Sequence, residues 1–199
     1  MAENTIALIR HGQTEWSISG KHTGLTDIPL TDLGRQQADA LGEMLNGEKF
    51  ARVIASPLVR AWETMERAGY AADAEASTDV LEWDYGVYEG LRTDDIRLTI
   101  PNWSVWTHPI WNGESVEEVG LRADRIIALS EAADGPIAVF AHGHFLRILA
   151  ARWVGLPAEG GKNLSLGTAT VSTLGWERDN HVIQMWNDAC HLNSMDPAL

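Results

Sequence analysis

The chain has 199 residues, 45% of them hydrophobic and 22% charged, which is ordinary globular composition and long enough for one well-buried domain. Its formal net charge of −13 argues against nucleic acid as a partner, since a basic face should dominate there. An anionic small molecule stays open, because local arginines and backbone N–H groups suffice to hold one. No apolar run approaches the roughly 18–20 residues that cross a bilayer, so no membrane partner is expected. Met1-Ala2-Glu3-Asn4 lacks the basic start and apolar core of a secretion signal. The single cysteine, Cys190, excludes an intrachain disulfide, and a cytoplasmic location is the default. With no base beside it except His191, Cys190 reads as inert.

Along the chain, Thr5-Ile6-Ala7-Leu8-Ile9 reads as a buried strand that delivers Arg10-His11-Gly12 at its carboxyl end. Open α/β sheets bind ligands at that end of their strands. A Gly/Ser/Thr-rich loop follows, roughly Gly12 to Leu30. A helix is expected from about Thr31 to Asn46, where Asn46-Gly47 is a stop signal. Arg52-Val53-Ile54-Ala55 reads as a second strand, and Ser56-Pro57 as the N-cap and N1 proline of a second helix. Val80-Leu81 is assigned to a third short strand ending at Glu82. From Asp84 to Gly113 the chain is irregular and rich in tryptophan. Packing of a long loop is the plainer reading of Trp103, Trp106 and Trp111, and a lid over residues 102–111 is the alternative. Ser115 with Glu118 forms a capping box, and Val116, Val119, Ala123, Ile126 and Ile127 share one helical face. The strand Ile137–Ala141 ends in a second His-Gly pair, His142-Gly143-His144, before a helix from about Phe145 to Val154. Thr168–Trp176 and His181–Trp186 read as paired late strands around Arg178-Asp179-Asn180. This alternation predicts an α/β fold, with a mainly parallel sheet, helices on both faces and a single domain over residues 1–199.

Two apolar strands that each end in a His-Gly pair suggest phosphoryl chemistry. His11 is the candidate nucleophile, since a neutral imidazole carries a free lone pair and its other nitrogen can be fixed by a carbonyl. Arg10 and Arg60 offer guanidinium forks that match phosphoryl oxygens, and His142 and the Gly143 N–H offer further donors. The leaving oxygen needs a proton, for which Glu82, among Trp83, Tyr85 and Tyr88, is the first candidate, ahead of Asp84 and Glu89. Singly, each residue has a plainer reading: a turn, a solvated helix arginine, a surface carboxylate. It is their shared placement at strand ends and helix starts that points to a phosphate-handling site.

These residues fall in segments that resemble the histidine phosphatase superfamily, the phosphoglycerate mutase-like fold. The segments are Arg10-His11-Gly12-Gln13-Thr14-Glu15-Trp16, Thr23-Gly24-Leu25-Thr26-Asp27 with Leu30-Thr31, Ser56-Pro57-Leu58-Val59-Arg60-Ala61, Leu81-Glu82-Trp83-Asp84-Tyr85-Gly86 with Glu89-Gly90, Asn112-Gly113-Glu114-Ser115, and Ala141-His142-Gly143-His144. They stand in the family's order and cover Leu8 to about Arg152. The resemblance implies a three-layer α/β/α sandwich with the late strands at its edge. It implies His11 as the phosphorylated nucleophile, a phosphate pocket of Arg10, Arg60 and His142, Glu82 as proton donor, and no metal or organic cofactor. One departure is Ser17, where many members carry an asparagine that helps hold the phosphate; a serine hydroxyl is shorter and donates once. The finer likeness is to the sedoheptulose-bisphosphatase and actinobacterial acid phosphatase branch. It implies His144 and Tyr85 near the substrate's non-reacting end, and Gln13, Thr23 and Gly24, with Ser17 and Gly143, along the pocket wall.

The expected activity is therefore a metal-independent phosphatase acting on small phosphorylated metabolites, sugar phosphates or bisphosphates. A cofactor-dependent phosphoglycerate mutase is the alternative; the compact chain, without a long insertion before the second His-Gly, disfavours it. A non-catalytic phospholigand-binding module is disfavoured by the presence of His11, Arg60, Glu82 and His142 together. A zinc triad of His11, His142 and His144 is disfavoured by the adjoining arginine. The remaining histidines, His22, His108, His181 and His191, read as surface or structural, and a homodimer is the default assembly.

Overall fold

Strands β1 (Ile6–Arg10) and β4 (Ile137–Ala141) lie side by side in parallel, in register from Ile6 against Ile137 to Arg10 against Ala141. The structure, a computed structural model, describes residues 4–72 and 74–193, so part of the amino-terminal stretch Met1–Asn4 lies outside the described residues. The two strands sit at the middle of a six-stranded sheet of order β3-β2-β4-β1-β5-β6. The others are β2 (Arg52–Ala55), β3 (Ala74–Ala76), β5 (Val171–Glu177) and β6 (Asn180–Asp188). The pairings among β1 to β4 are parallel, while β5 runs antiparallel to β1, and β6 to β5, so the late strands form one edge.

Pleating sends alternate side chains to opposite faces. Ile6, Leu8, Ile137, Val139 and Ala141 pack with Val119, Ala123 and Ile126 of helix α5 (Val116–Glu131) and with Phe145, Leu146 and Leu149 of helix α6 (Gly143–Trp153). Ile9, Val53, Ala55, Ala138 and Phe140 pack with Leu41 and Leu45 of helix α2 (Asp32–Leu45) and Met65 of helix α3 (Val59–Arg67). The result is the three-layer α/β/α sandwich. Burial on both faces is why the central strands read as continuous apolar runs. Two further helices are short: α1 (Glu15–Ser19), within the first loop, and α4 (Thr93–Arg97), within the aromatic segment. Among the described residues no helix is long and apolar enough to cross a membrane.

The caps explain most boundaries. Thr31 accepts from the Gly34 N–H and starts α2, Asn46 ends it in the left-handed conformation, and Ser115 and Glu118 cap each other at α5. Two expectations are corrected. Ser56 does not cap α3, which begins at Val59; the Val59 N–H is taken by the Asp27 carboxylate at 2.8 Å, while Ser56 Oγ turns toward His142. The third strand is Ala74–Ala76, not Val80-Leu81. Ser77 closes it by capping a single 3₁₀ turn, Thr78–Val80, and Val80 is apolar because it fills the core on the α5 face.

Backbone contact fixes how the loop after β1 meets α2. A Cβ at Gly12 would run into the Gly34 carbonyl, and one at Gly34 into the Gln13 carbonyl. Gly34→Ala is therefore expected to cost about 1–3 kcal/mol and to weaken the site beside it. A lower thermal midpoint together with lower activity is the expected result; an unchanged midpoint would show that the approach yields.

Candidate active site

His11 leaves β1 with its N–H bonded to the Ala141 carbonyl at 3.0 Å, which ties it to the end of β4. Its ring Nδ1 lies 2.7 Å from the Gly12 carbonyl oxygen. A carbonyl only accepts, so Nδ1 carries the proton and Nε2 keeps a lone pair. Burial first, then the charges of Arg60 and Arg10, hold the ring well below the usual histidine pKa, and His11 is neutral.

The two arginines are braced by carbonyl oxygens. Arg10 Nη1 donates to the Leu166 carbonyl at 2.5 Å, and its buried Nε has no partner. A Cβ at Gly143 would lie 3.2 Å from that guanidinium, so glycine there leaves it room. Arg60 donates from Nη2 to the Gly24 carbonyl at 2.9 Å, from Nη1 to the Thr26 carbonyl at 3.0 Å, and from Nε to His142 Nδ1 at 3.1 Å. His142 Nδ1 is thus an acceptor, and its Nε2–H donates to Ser56 Oγ at 2.7 Å. The loop that supplies the two carbonyls is held by Glu89, whose carboxylate accepts from the Leu25 and Thr26 N–H groups at 2.6 and 3.0 Å and from the Thr26 hydroxyl. Gly24 has φ +51°, and a Cβ there would collide with that carboxylate. Glu89 is therefore an anchor for the loop that braces Arg60. Asp84, the other alternative proton donor, accepts the Gly86 N–H in a local turn.

Glu82 lies at the start of α6. Its carboxylate accepts N–H bonds from Trp83 at 2.9 Å, Phe145 at 3.0 Å and His144 at 3.1 Å, the latter two in the first turn of that helix. Arg122 fixes the approach: its guanidinium holds the carbonyls of Asp79, Leu81 and Glu82 and pairs with Glu114 at 2.7 Å. Sequence reasoning did not single out Arg122, which lies on an otherwise ordinary amphipathic helix.

Arg10, His11, Arg60 and Glu82 converge on a cavity of about 470 Å³, whose wall also includes Ser17, Thr23, Tyr85, Gly143 and His144. Gln13, Gly24 and His142 do not line it. Gln13 serves the start of α2, its Oε1 accepting from the Thr31 hydroxyl and its N–H bonding to Gln37. The Ser17 hydroxyl donates to the Thr14 carbonyl at 2.8 Å, so its one proton is directed into the α1 capping box. Tyr85 and His144 share a hydrogen bond of 2.6 Å, and burial, followed by Arg147, keeps the His144 ring well below the usual pKa.

His22, read as surface or structural, is structural in its packing and also reaches the cavity wall. It is 9% exposed, lines the cavity and packs its ring 4.8 Å from Tyr85 and 5.3 Å from Trp103. The tryptophans divide: Trp103 is buried, Trp106 walls the cavity, and Trp111 is 66% exposed. Lys21, Arg97 and Arg147 also line the cavity and were not foreseen, Arg147 although it follows His142 by five residues. Among the described residues no group of three or more His, Cys, Asp or Glu is placed to hold a metal ion. Cys190 is exposed, with its thiol pKa raised by the hydrogen bond to Asp188.

The family described as the histidine phosphatase superfamily (branch 1) matches residues 6–189, beyond the segments that carry the resemblance and through the late hairpin. An acid phosphatase of Mycobacterium tuberculosis is 42% identical over 176 residues, 86% of each chain. A sedoheptulose 1,7-bisphosphatase of Saccharomyces cerevisiae is 37% identical over 181 residues, 75% of this chain and 67% of its own. The structure of a mycobacterial glucosyl-3-phosphoglycerate phosphatase superposes with a TM-score of 0.82 at 26% identity, over 93% of this chain and 99% of that one.

The buried neutral histidines couple stability to pH. Burial lowers His22 to a pKa of about 4, against the usual 6.5 of a histidine side chain. Between those values the unfolded chain binds a proton that the folded chain does not. The stability that neutral His22 carries is full above pH 6.5 and is lost as pH falls toward 4. Thermal midpoints measured across that window should decline, and less steeply in His22→Gln; parallel curves would show that His22 titrates normally.

Proposed function

The chain belongs to the histidine phosphatase superfamily, and we propose that it hydrolyses small phosphorylated sugars, mono- or bisphosphates, without a metal ion, by way of a phosphoryl group carried on His11. The observation that carries this reading is the His11 ring: Nδ1–H is bound to the Gly12 carbonyl, which leaves the Nε2 lone pair in a cavity lined by Arg10 and Arg60. In the first step Nε2 attacks phosphorus and the bond to the ester oxygen breaks. Glu82 gives that oxygen its proton, so the leaving group departs as an alcohol. Arg10, through its unpartnered Nε, and Arg60 face the phosphoryl oxygens and neutralise charge as it develops. His142 acts through its neighbours, holding Arg60 by Nδ1 and standing 5.2 Å from the His11 ring. In the second step water attacks phosphorus, Glu82 recovers a proton from it, the N–P bond breaks, and phosphate leaves with His11 neutral again.

Relatives named acid phosphatase and sedoheptulose 1,7-bisphosphatase support hydrolysis as the outcome. Exposed Lys21 and Arg97 on the cavity wall open it to solvent, which suits water as the acceptor. We read residues 1–199 as one catalytic domain, working in the cytoplasm as a homodimer on a small-molecule phosphoester and not on nucleic acid, in keeping with a net charge of −13.

Phosphate release from sugar phosphates with excess chelator present tests this reading. Activity should survive chelation and vanish in His11→Ala. Glu82→Gln should slow alkyl phosphates by about 10²–10⁴-fold and aryl phosphates, whose leaving groups need no proton, far less. Isomerisation of 3-phosphoglycerate without net phosphate release, or activity abolished by chelation, would overturn it.

A further inference from the structure

The two phosphate-facing arginines are held unequally. Arg60 makes three side-chain hydrogen bonds, to two carbonyls and to His142. Within the described residues the Arg10 guanidinium makes one, to the Leu166 carbonyl. Its aim therefore depends on where Leu166 stands. Leu166 belongs to a strap, residues 165–170, that precedes β5 and is neither helix nor strand. The backbone of this strap also grips the start of the site. The Thr170 carbonyl accepts from the Arg10 N–H at 3.2 Å, and the Ala169 N–H donates to the His11 carbonyl at 3.0 Å. Ala169 is fully buried at φ +54°, a left-handed conformation that alanine keeps only where its surroundings impose it.

Three side chains beyond β5 hold the strap from its other side. Trp186 Nε1–H donates to the Ser165 carbonyl at 2.5 Å, and Asn187 Oδ1 accepts from the Gly167 N–H at 2.7 Å. His191 Nε2 lies 2.9 Å from the Ala169 carbonyl. A carbonyl only accepts, so Nε2 carries the proton; burial lowers the pKa of the ring and makes it a neutral donor. The register of the late hairpin explains why the first two reach the strap. Val171 pairs with Asp188 and Thr173 with Met185, so Trp186 and Asn187 together oppose Ser172 alone. Such a β-bulge turns side chains out of the regular alternation. Asn187 completes it at φ +59°, which asparagine tolerates, and its N–H donates to Ser172 Oγ at 2.9 Å. Pairing of two strands needs no bulge; this one commits two side chains to a segment outside the sheet.

We propose that Asn187 and His191, assisted by Trp186, are positioning residues for phosphoryl transfer: they hold the strap where the Leu166 carbonyl aims the Arg10 guanidinium at the phosphoryl oxygens and Ala169 fixes the His11 carbonyl. The inference rests on the phosphatase reading above. None of the three lines the cavity, so each acts through the strap. Arg10 neutralises charge that grows as the phosphoryl group moves, so a mis-aimed fork lowers kcat more than it raises KM.

The test measures phosphate release from one sugar phosphate at a temperature where circular dichroism shows each variant folded. Asn187→Gly keeps the left-handed backbone and removes the acceptor; it should lower kcat about 10–100-fold with a smaller change in KM. Asn187→Asp keeps an acceptor for the Gly167 N–H and should recover most of that loss. His191→Leu should behave like Asn187→Gly, and His191→Gln, whose amide still donates, should recover most activity. Trp186→Phe keeps a ring and loses the N–H; it should lower kcat severalfold, and as a mild change it keeps the test decisive if a harsher variant folds poorly. In the Arg10→Gln enzyme, Asn187→Gly should cost little more, since the side chain it aims is gone. Wild-type kcat in folded Asn187→Gly and Trp186→Phe, equal losses in the conservative and disruptive variants, or a loss that adds in full to that of Arg10→Gln overturns the positioning role and leaves the phosphatase reading standing. If the wild type releases no phosphate, the phosphatase reading falls and this inference falls with it.

Discussion

In-register pairing of β1 with β4 sets Arg10 beside Ala141, so the chain leaves both strands at one level of the sheet. His11 and His142 thereby become neighbours, although 131 positions separate them in sequence. A slip of one residue would turn every side chain of β1 to the opposite face and carry Arg10 away from the site. Burial of both sheet faces forbids that slip, because it would exchange Ile6 and Leu8 for Ala7 and Ile9 in two differently shaped cores. Packing of the sandwich and placement of the nucleophile are therefore one constraint.

Charge is managed around that junction by choice of partner. Outside the cavity seven arginines meet carboxylates, and the local charges there cancel. Inside, Arg10 and Arg60 meet backbone carbonyls and a neutral imidazole, which orient a guanidinium and leave its charge intact. Burial keeps His11, His142 and His144 neutral for the same reason: a further charge among the guanidinium groups is disfavoured. Against a net charge of −13, the cavity stays an isolated positive site.

What the sequence made legible follows from where the information is local. Central strands with apolar residues on both faces, and helices with Ser, Thr or Asn at their ends, announce themselves within a few residues. The strand-end residues Arg10 and His11 were readable because a strand end is a position in both sequence and space. The edge strand Ala74–Ala76 was not, since three residues, mostly exposed, carry no apolar signature, whereas Val80 does and packs from a turn. Ser56 misled because a hydroxyl has several candidate partners, and a tertiary contact with His142 decided among them; Glu89, ranked behind Glu82, is taken up by the 24–26 loop. His22 and Arg147 reach the cavity from segments whose direction only the fold defines.

The inner site is clamped by contacts that each serve a second purpose: Glu89 orders the loop that braces Arg60, and Gly143 makes room for Arg10. The rim differs. Lys21 and Arg97 are exposed, in or beside helices of five residues, and neither is built into the sheet core. Such an arrangement divides the molecule by evolvability. Descendants of this chain can change what they recognise through one or two surface substitutions, while the bond-breaking apparatus is inherited whole.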